Sequence, residues 1–95
     1  MKLRPVLLLT AELGLIPEVL VAYISSVIPA QLLPSDLIMD PSRQEFRSCN
    51  LKVISVLRVH KLATIHCSSL ARRLGRIDPV RQAVVADRLR ILLVL

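Results

Sequence analysis

Tryptophan is absent, and Tyr23 and Phe46 are the only aromatic residues among 95. A chain this poor in rings cannot build the platforms on which single-strand-binding proteins stack successive bases. Glycine occurs twice, at Gly14 and Gly75, too seldom for either common glycine-rich phosphate loop. Two cysteines, Cys49 and Cys67, cannot frame a disulfide scaffold. Without a secretion signal they read as free buried thiols in a reducing cytoplasm. Clean apolar runs are missing as well. A membrane span needs roughly 20 apolar residues, and every such window between Val6 and Leu33 contains Glu12, Pro17, Glu18 or Pro29. The same breaks spoil a signal-peptide core behind Lys2 and Arg4. Acids are scarce in the second half, where Asp78 and Asp87 face nine basic side chains over residues 52–95.

What is present is aliphatic bulk and positive charge. The apolar share is 54% and the net charge is +6. One domain of this size lies near the lower limit for folding on a single core. Its apolar content exceeds what a free monomer easily hides, so some of that area is expected to meet a partner chain. Residues 1–51 are nearly balanced, with four basic and five acidic side chains, so the excess sits in the back half. Such a half attracts polyanions in general: RNA, DNA, anionic lipid or an acidic protein tail.

The order of elements follows from patterning. Residues 4–10 form a leucine-rich run begun by Pro5, which a strand tolerates at its first position. Residues 11–18, with Gly14 and Pro17, read as a loop. Residues 19–24 are apolar on both faces and predict a central strand, ending at Ser25 and Ser26. Residues 37–39 predict a short strand closed by the turn signal Asp40-Pro41-Ser42. In the polar stretch that follows, Asn50 is suited to a left-handed turn position. Residues 52–59 and 62–65 predict further strand. Ser68 or Ser69 is expected to cap a short helix through Leu74, stopped by Gly75. Asp78-Pro79 marks the start of a second helix. Its apolar stripe is Val80, Val84, Val85, Leu89, Leu92 and Leu93, with Arg81, Asp87, Arg88 and Arg90 facing away. Strands followed by a terminal helix make a mainly β, α+β fold, a sheet or small barrel with one helix packed on it.

Three residues are candidates for chemistry. The Arg4 guanidinium is always charged and forks onto phosphate oxygens, holding a scissile phosphate and stabilising charge that develops on it. By itself it could equally be a solvated basic residue. Ser25 lies where the central strand leaves its apolar run, with Ser26 as competitor because one residue of register flips the face. A serine pair merely ending a strand is the plain alternative. His60 titrates near neutrality and can exchange protons with a ribose hydroxyl or a leaving oxygen. Arg58 and Lys61 flank it in sequence. A structural or exposed histidine is the alternative. Cys49, His60, His66 and Cys67 lack the paired spacing of a zinc site, so no metal and no cofactor is expected. Arg72, Arg73 and Arg76 could track a nucleic-acid backbone, receive an acidic peptide, or form a solvated face.

Three stretches carry a resemblance. Ser-Val-Leu-Arg-Val-His-Lys-Leu-Ala-Thr-Ile occupies 55–65, and Leu-Ala-Arg-Arg-Leu-Gly-Arg-Ile-Asp-Pro occupies 70–79. At the front stands Lys2-Leu3-Arg4-Pro5-Val6-Leu7-Leu8-Leu9. In this order the chain resembles the PemK/MazF family of endoribonuclease toxins. The resemblance implies one domain over 1–95 with an SH3-like, mostly antiparallel barrel and a C-terminal helix. It implies a cytoplasmic toxin of a type II toxin–antitoxin system, an mRNA interferase cutting single-stranded RNA without a metal. Arg4, Ser25 and His60 would then be catalytic, with Lys2, Arg58 and Lys61 binding RNA. A cognate antitoxin, a second copy of the chain and, through the antitoxin complex, operator DNA are the implied partners. His60 stands where other members carry an acid. The strand and loop that precede the Arg-Pro strand in the family have no counterpart here, so residues 6–10 are expected as an unpaired edge. The alternative is a non-catalytic module of the same fold that binds antitoxin or nucleic acid. A third possibility is a small basic membrane-associated protein.

Overall fold

The computed structural model describes residues 3–95, which leaves Lys2 outside the described residues. Four strands make one antiparallel sheet: β1 (Val6–Leu8), β2 (Glu18–Ser25), β3 (Asp36–Met39) and β4 (Ser55–His66). Their spatial order is β1-β2-β4-β3, so the two longest strands pair in the middle and β1 is an edge. A helix, α1 (Pro79–Leu93), closes the chain.

Both faces of the curled sheet bury aliphatic side chains, as expected of strands apolar on both sides. Ala22, Ile24, Met39, Leu57 and Val59 join Phe46, Ile77 and Val85 in the principal core, with Leu89 and Leu92 packed on it. Val19, Val21 and Val56 are buried on the opposite face. Leu57 is fully buried, a contribution of about 2 kcal/mol for a leucine side chain.

The elements agree with the pattern in outline and differ in several places. β1 is three residues long rather than seven, because Thr10 leaves the ladder and its Oγ1 accepts from Leu20 N at 3.1 Å. The two strand segments expected over 52–65 are one continuous strand beginning at Ser55. The short helix expected from Ser68 or Ser69 to Leu74 does not form. A single 3-10 turn, Cys67–Ser69, is capped by the His66 side chain, and residues 70–78 run irregularly. Their polar groups are committed elsewhere: Asn50 Nδ2 donates to Leu74 O at 2.7 Å, Arg76 N to Ser48 O at 2.9 Å, and Ser48 Oγ to Arg76 O at 2.6 Å. Gly75 is therefore a crossing point and not a helix stop.

The second helix starts as expected. Asp78 Oδ1 accepts from Arg81 N at 2.7 Å, and Pro79 occupies the first turn. Its stripe is narrower than expected, since Val80 and Leu93 are exposed while Val85, Leu89 and Leu92 pack inward. Two of the arginines expected to face away do not. Arg88 donates to Pro34 O, and Arg81 is half-buried with its Nη1 enclosed. Asn50 takes the left-handed conformation expected of it (φ 55°, ψ 33°).

Candidate active site

Strand register gathers the site. Val6, Tyr23, Arg58 and Asp36 lie in one row across all four strands. Residues directly opposite in antiparallel strands share a face. Continuing the β1–β2 register two residues back sets Arg4 across from Ser25, an alignment held by Ile24 N donating to Pro5 O at 3.2 Å. Arg4, Tyr23, Ser25 and Arg58 accordingly share one face and line a single cleft of about 260 Å³, together with Ile24 and Lys61.

Lys61 belongs there only because β4 is irregular. Side chains three apart on a strand point to opposite faces, which would separate Arg58 from Lys61. The register jumps, however: Tyr23 pairs with Arg58 and Ala22 with Leu62, leaving Val59, His60 and Lys61 opposite nothing on β2. This bulge reverses the facing of the strand beyond it. Both cations thus reach one cleft, and its wall carries Arg4, Arg58 and Lys61 with no carboxylate.

Ser25 Oγ accepts from Val27 N at 3.1 Å and donates to Val27 O at 3.3 Å. The long donor contact is easily exchanged for an anion, while the Val27 N–H keeps the oxygen in place. Ser26, its competitor, is exposed and outside the small cleft. His60 does not line the cleft. Its Nδ1 lies 3.8 Å from Asp36 Oδ1, towards β3. That carboxylate is the main feature missed by sequence reasoning. The Asp36 side chain is wholly buried; its Oδ2 accepts from Leu33 N at 2.8 Å, and its Oδ1 stands 2.9 Å from Arg58 Nε. The Arg58 N–H is not aimed at that oxygen, so the pairing is chiefly Coulombic. The only clue in the sequence was a single acid between the apolar runs Leu32-Leu33 and Leu37-Ile38-Met39. Tyr23 was also missed, because its strand reads as uniformly apolar.

Arg72, Arg73 and Arg76 do not line this cleft, although the groove they border also reaches Arg4, Tyr23, Ile24 and Ser25. They border a broader groove of about 1500 Å³ between β1, residues 69–77 and α1. Cys49 is buried and Cys67 half-buried, both free. Burial pushes the Cys49 thiol above its ordinary pKa, and the Asp78 carboxylate adds to the effect. Among the described residues no three His, Cys, Asp or Glu side chains gather to hold a metal ion. No described helix is long and apolar enough to cross a membrane.

The family model described as a PemK-like, MazF-like toxin of a type II toxin–antitoxin system matches residues 1–93. The chain belongs to that family. Among solved structures, the Mycobacterium tuberculosis toxin MazF-mt6 superimposes with a TM-score of 0.77 at 25% identity, over 97% of this chain and 87% of that one. No curated protein sequence matches. The four-stranded curled sheet with its terminal helix is thus the MazF toxin fold, and the small cleft is lined from β2 and β4, with Arg4 just ahead of β1.

Proposed function

We propose that this MazF-like toxin is a metal-independent endoribonuclease acting on single-stranded RNA, with the Arg4–Ser25–Arg58–Lys61 cleft as its phosphate site. The convergence of those four side chains in a family member carries the reading. Attack by a ribose 2′ hydroxyl on the adjoining phosphorus forms a 2′,3′-cyclic phosphate and breaks the bond to the 5′ oxygen of the next nucleotide, building negative charge on the phosphate oxygens on the way. Arg4 and the Ser25 hydroxyl are placed to donate to those oxygens. Arg58 and Lys61 hold the strand, and Lys2, two positions before Arg4 in the sequence, is assigned to RNA binding with them. His60 is the nearest imidazole, since His66 lies at the far end of β4 with its Nδ1 2.7 Å from Ser68 Oγ. Proton transfer, removal of the 2′ proton and its return to the departing 5′ oxygen, is assigned to His60 in this reading, and it requires the ring to turn from Asp36 towards the cleft. A His60→Gln variant should then lose about 100-fold or more in kcat, and retention of activity within threefold removes the histidine from the mechanism.

One observation favours the second reading, a non-catalytic binder. The cleft wall holds neither carboxylate nor imidazole. Cleavage of a mixed-sequence RNA in EDTA, by the chain beside its Arg4→Ala variant, separates the two. Cutting by the unmodified chain alone supports the nuclease. Salt-sensitive binding by the unmodified chain without any cutting supports the binder.

Three further partners belong to the proposal. Exposed Leu13, Leu15, Ile16, Val27 and Ile28 are consistent with burial in a homodimer or against an antitoxin. The basic back half suits an acidic antitoxin segment, and operator DNA through the resulting complex. The cytoplasm is the proposed location.

A further inference from the structure

We propose that Asp36 is a positioning residue that fixes Arg58 for phosphate binding. The proposal rests on the cleft being a nucleic-acid phosphate site and adds a residue outside its wall. Asp36 and Arg58 are direct partners in the β3–β4 register. The carboxylate is fully buried, held from behind by Leu33 N, and stands 2.9 Å from Arg58 Nε. Arg58 itself is mostly buried, its side chain 16% exposed, and lines the cleft.

A guanidinium has five N–H donors in a rigid fork, so its Nε can face one anion while its Nη groups face another. Lysine has one ammonium centre and cannot divide itself in this way. Asp36 also supplies the negative charge that lets Arg58 stand beside Arg4 and Lys61 before RNA arrives. Without it, three cations repel around one cleft, and Arg58 gains by swinging into solvent.

The sign of one substitution distinguishes positioning from bulk charge. Asp36→Asn makes the protein more positive, so a purely electrostatic account predicts tighter RNA binding. Positioning predicts weaker binding, by about tenfold, the lower end of losses seen when the outer partner of a ligand-binding group is removed. The probe is a single-stranded oligonucleotide with 2′-O-methyl sugars, which binds without the attacking hydroxyl, measured at one fixed salt concentration. The chain, Asp36→Asn, Arg58→Ala and the double variant form a cycle. The expected result is a tenfold loss for Asp36→Asn in the presence of Arg58 and none in its absence.

Binding by Asp36→Asn as tight as that of the unmodified chain, or tighter, overturns the proposal. So does an equal loss in both backgrounds, which marks a general structural role. Should Asp36→Asn fail to fold, Arg58→Lys decides. It retains the ion pair, yet its ammonium, held by Asp36, should leave RNA affinity as low as in Arg58→Ala. Full affinity of Arg58→Lys sinks the idea. An unmodified chain that binds no RNA overturns the nuclease reading and the role of Asp36 within it, a result distinct from any difference among variants.

Discussion

Gly75 sits where the chain crosses residues 48 and 49, and a Cβ there would fall far inside the van der Waals radius of Ser48 O and press on the Cys49 carbonyl. Both neighbours are backbone, so neither can swing aside. Gly75→Ala should destabilise the fold by about 3 kcal/mol, the upper range for overpacking, read as a lower denaturation midpoint at unchanged m-value. The glycine was visible in the sequence, but its reason was not. A crossing between residues 24 to 28 apart leaves no local periodicity, and a glycine after a possible helix looks the same either way. Cys49, next to that crossing, has its thiol pKa raised by burial. An acid whose native pKa lies above its unfolded one stabilises the fold fully below the unfolded value, about 8.5, and loses that contribution as pH climbs through the native value. Stability should therefore fall as pH rises past the unfolded value, and Cys49→Ala should flatten that slope in denaturant titrations whatever it does to stability at pH 7.

Among the elements, α1 shows how local chemistry is legible when one signal suffices. Asp78 caps, Pro79 occupies the first turn, and the inward residues follow at helical spacing. Asp78→Ala should cost about 1 kcal/mol, measured by urea unfolding. β4 shows the opposite case. Its identity as strand was legible from loose alternation and β-branched residues. The bulge was hidden, because an insertion is defined against β2 and not within β4. For the same reason the sequence could bring forward Ser25, marked by its place at a strand end, and Arg4, marked by the resemblance of its Arg-Pro strand, but could not show that Arg58 and Lys61 share a cleft or that His60 turns away from it. Asp36 was illegible on a third ground, since its partner is set by β3–β4 pairing across 21 intervening positions.

For the whole molecule, uneven charge is the property the sequence conveyed best, and the fold concentrates part of it. Three cations line the small cleft, while Arg72, Arg73 and Arg76 border the broad groove. Single-stranded RNA held only by Arg4, Arg58 and Lys61 should show a slope of about −2 for the logarithm of affinity against that of salt. A slope steeper than about −4 would bring the three arginines of the broad groove into the footprint. Binding isotherms over a salt series measure it. The sequence also conveyed a surplus of aliphatic surface. Leu15, fully exposed, and Ile16, more than half exposed, bear that out at the β1–β2 connection, although which faces would carry the surplus depended on the fold.

The β4 bulge ties this part of the protein to a count of residues. Leu62 stands opposite Ala22, so pairing with β2 fixes which core receives Leu62, Ala63 and Ile65. Three residues lie between the paired positions, an odd surplus that plain alternation cannot cross without a reversal. Removing His60 alone would leave Lys61 two positions from Arg58 and Leu62 three. Plain alternation then sends Lys61 to the cleft and Leu62 to the core with no reversal at all. Removing His60 and Lys61 together would restore an odd surplus and the need for a bulge. Cooperative unfolding in denaturant should therefore survive the single deletion better than the double one.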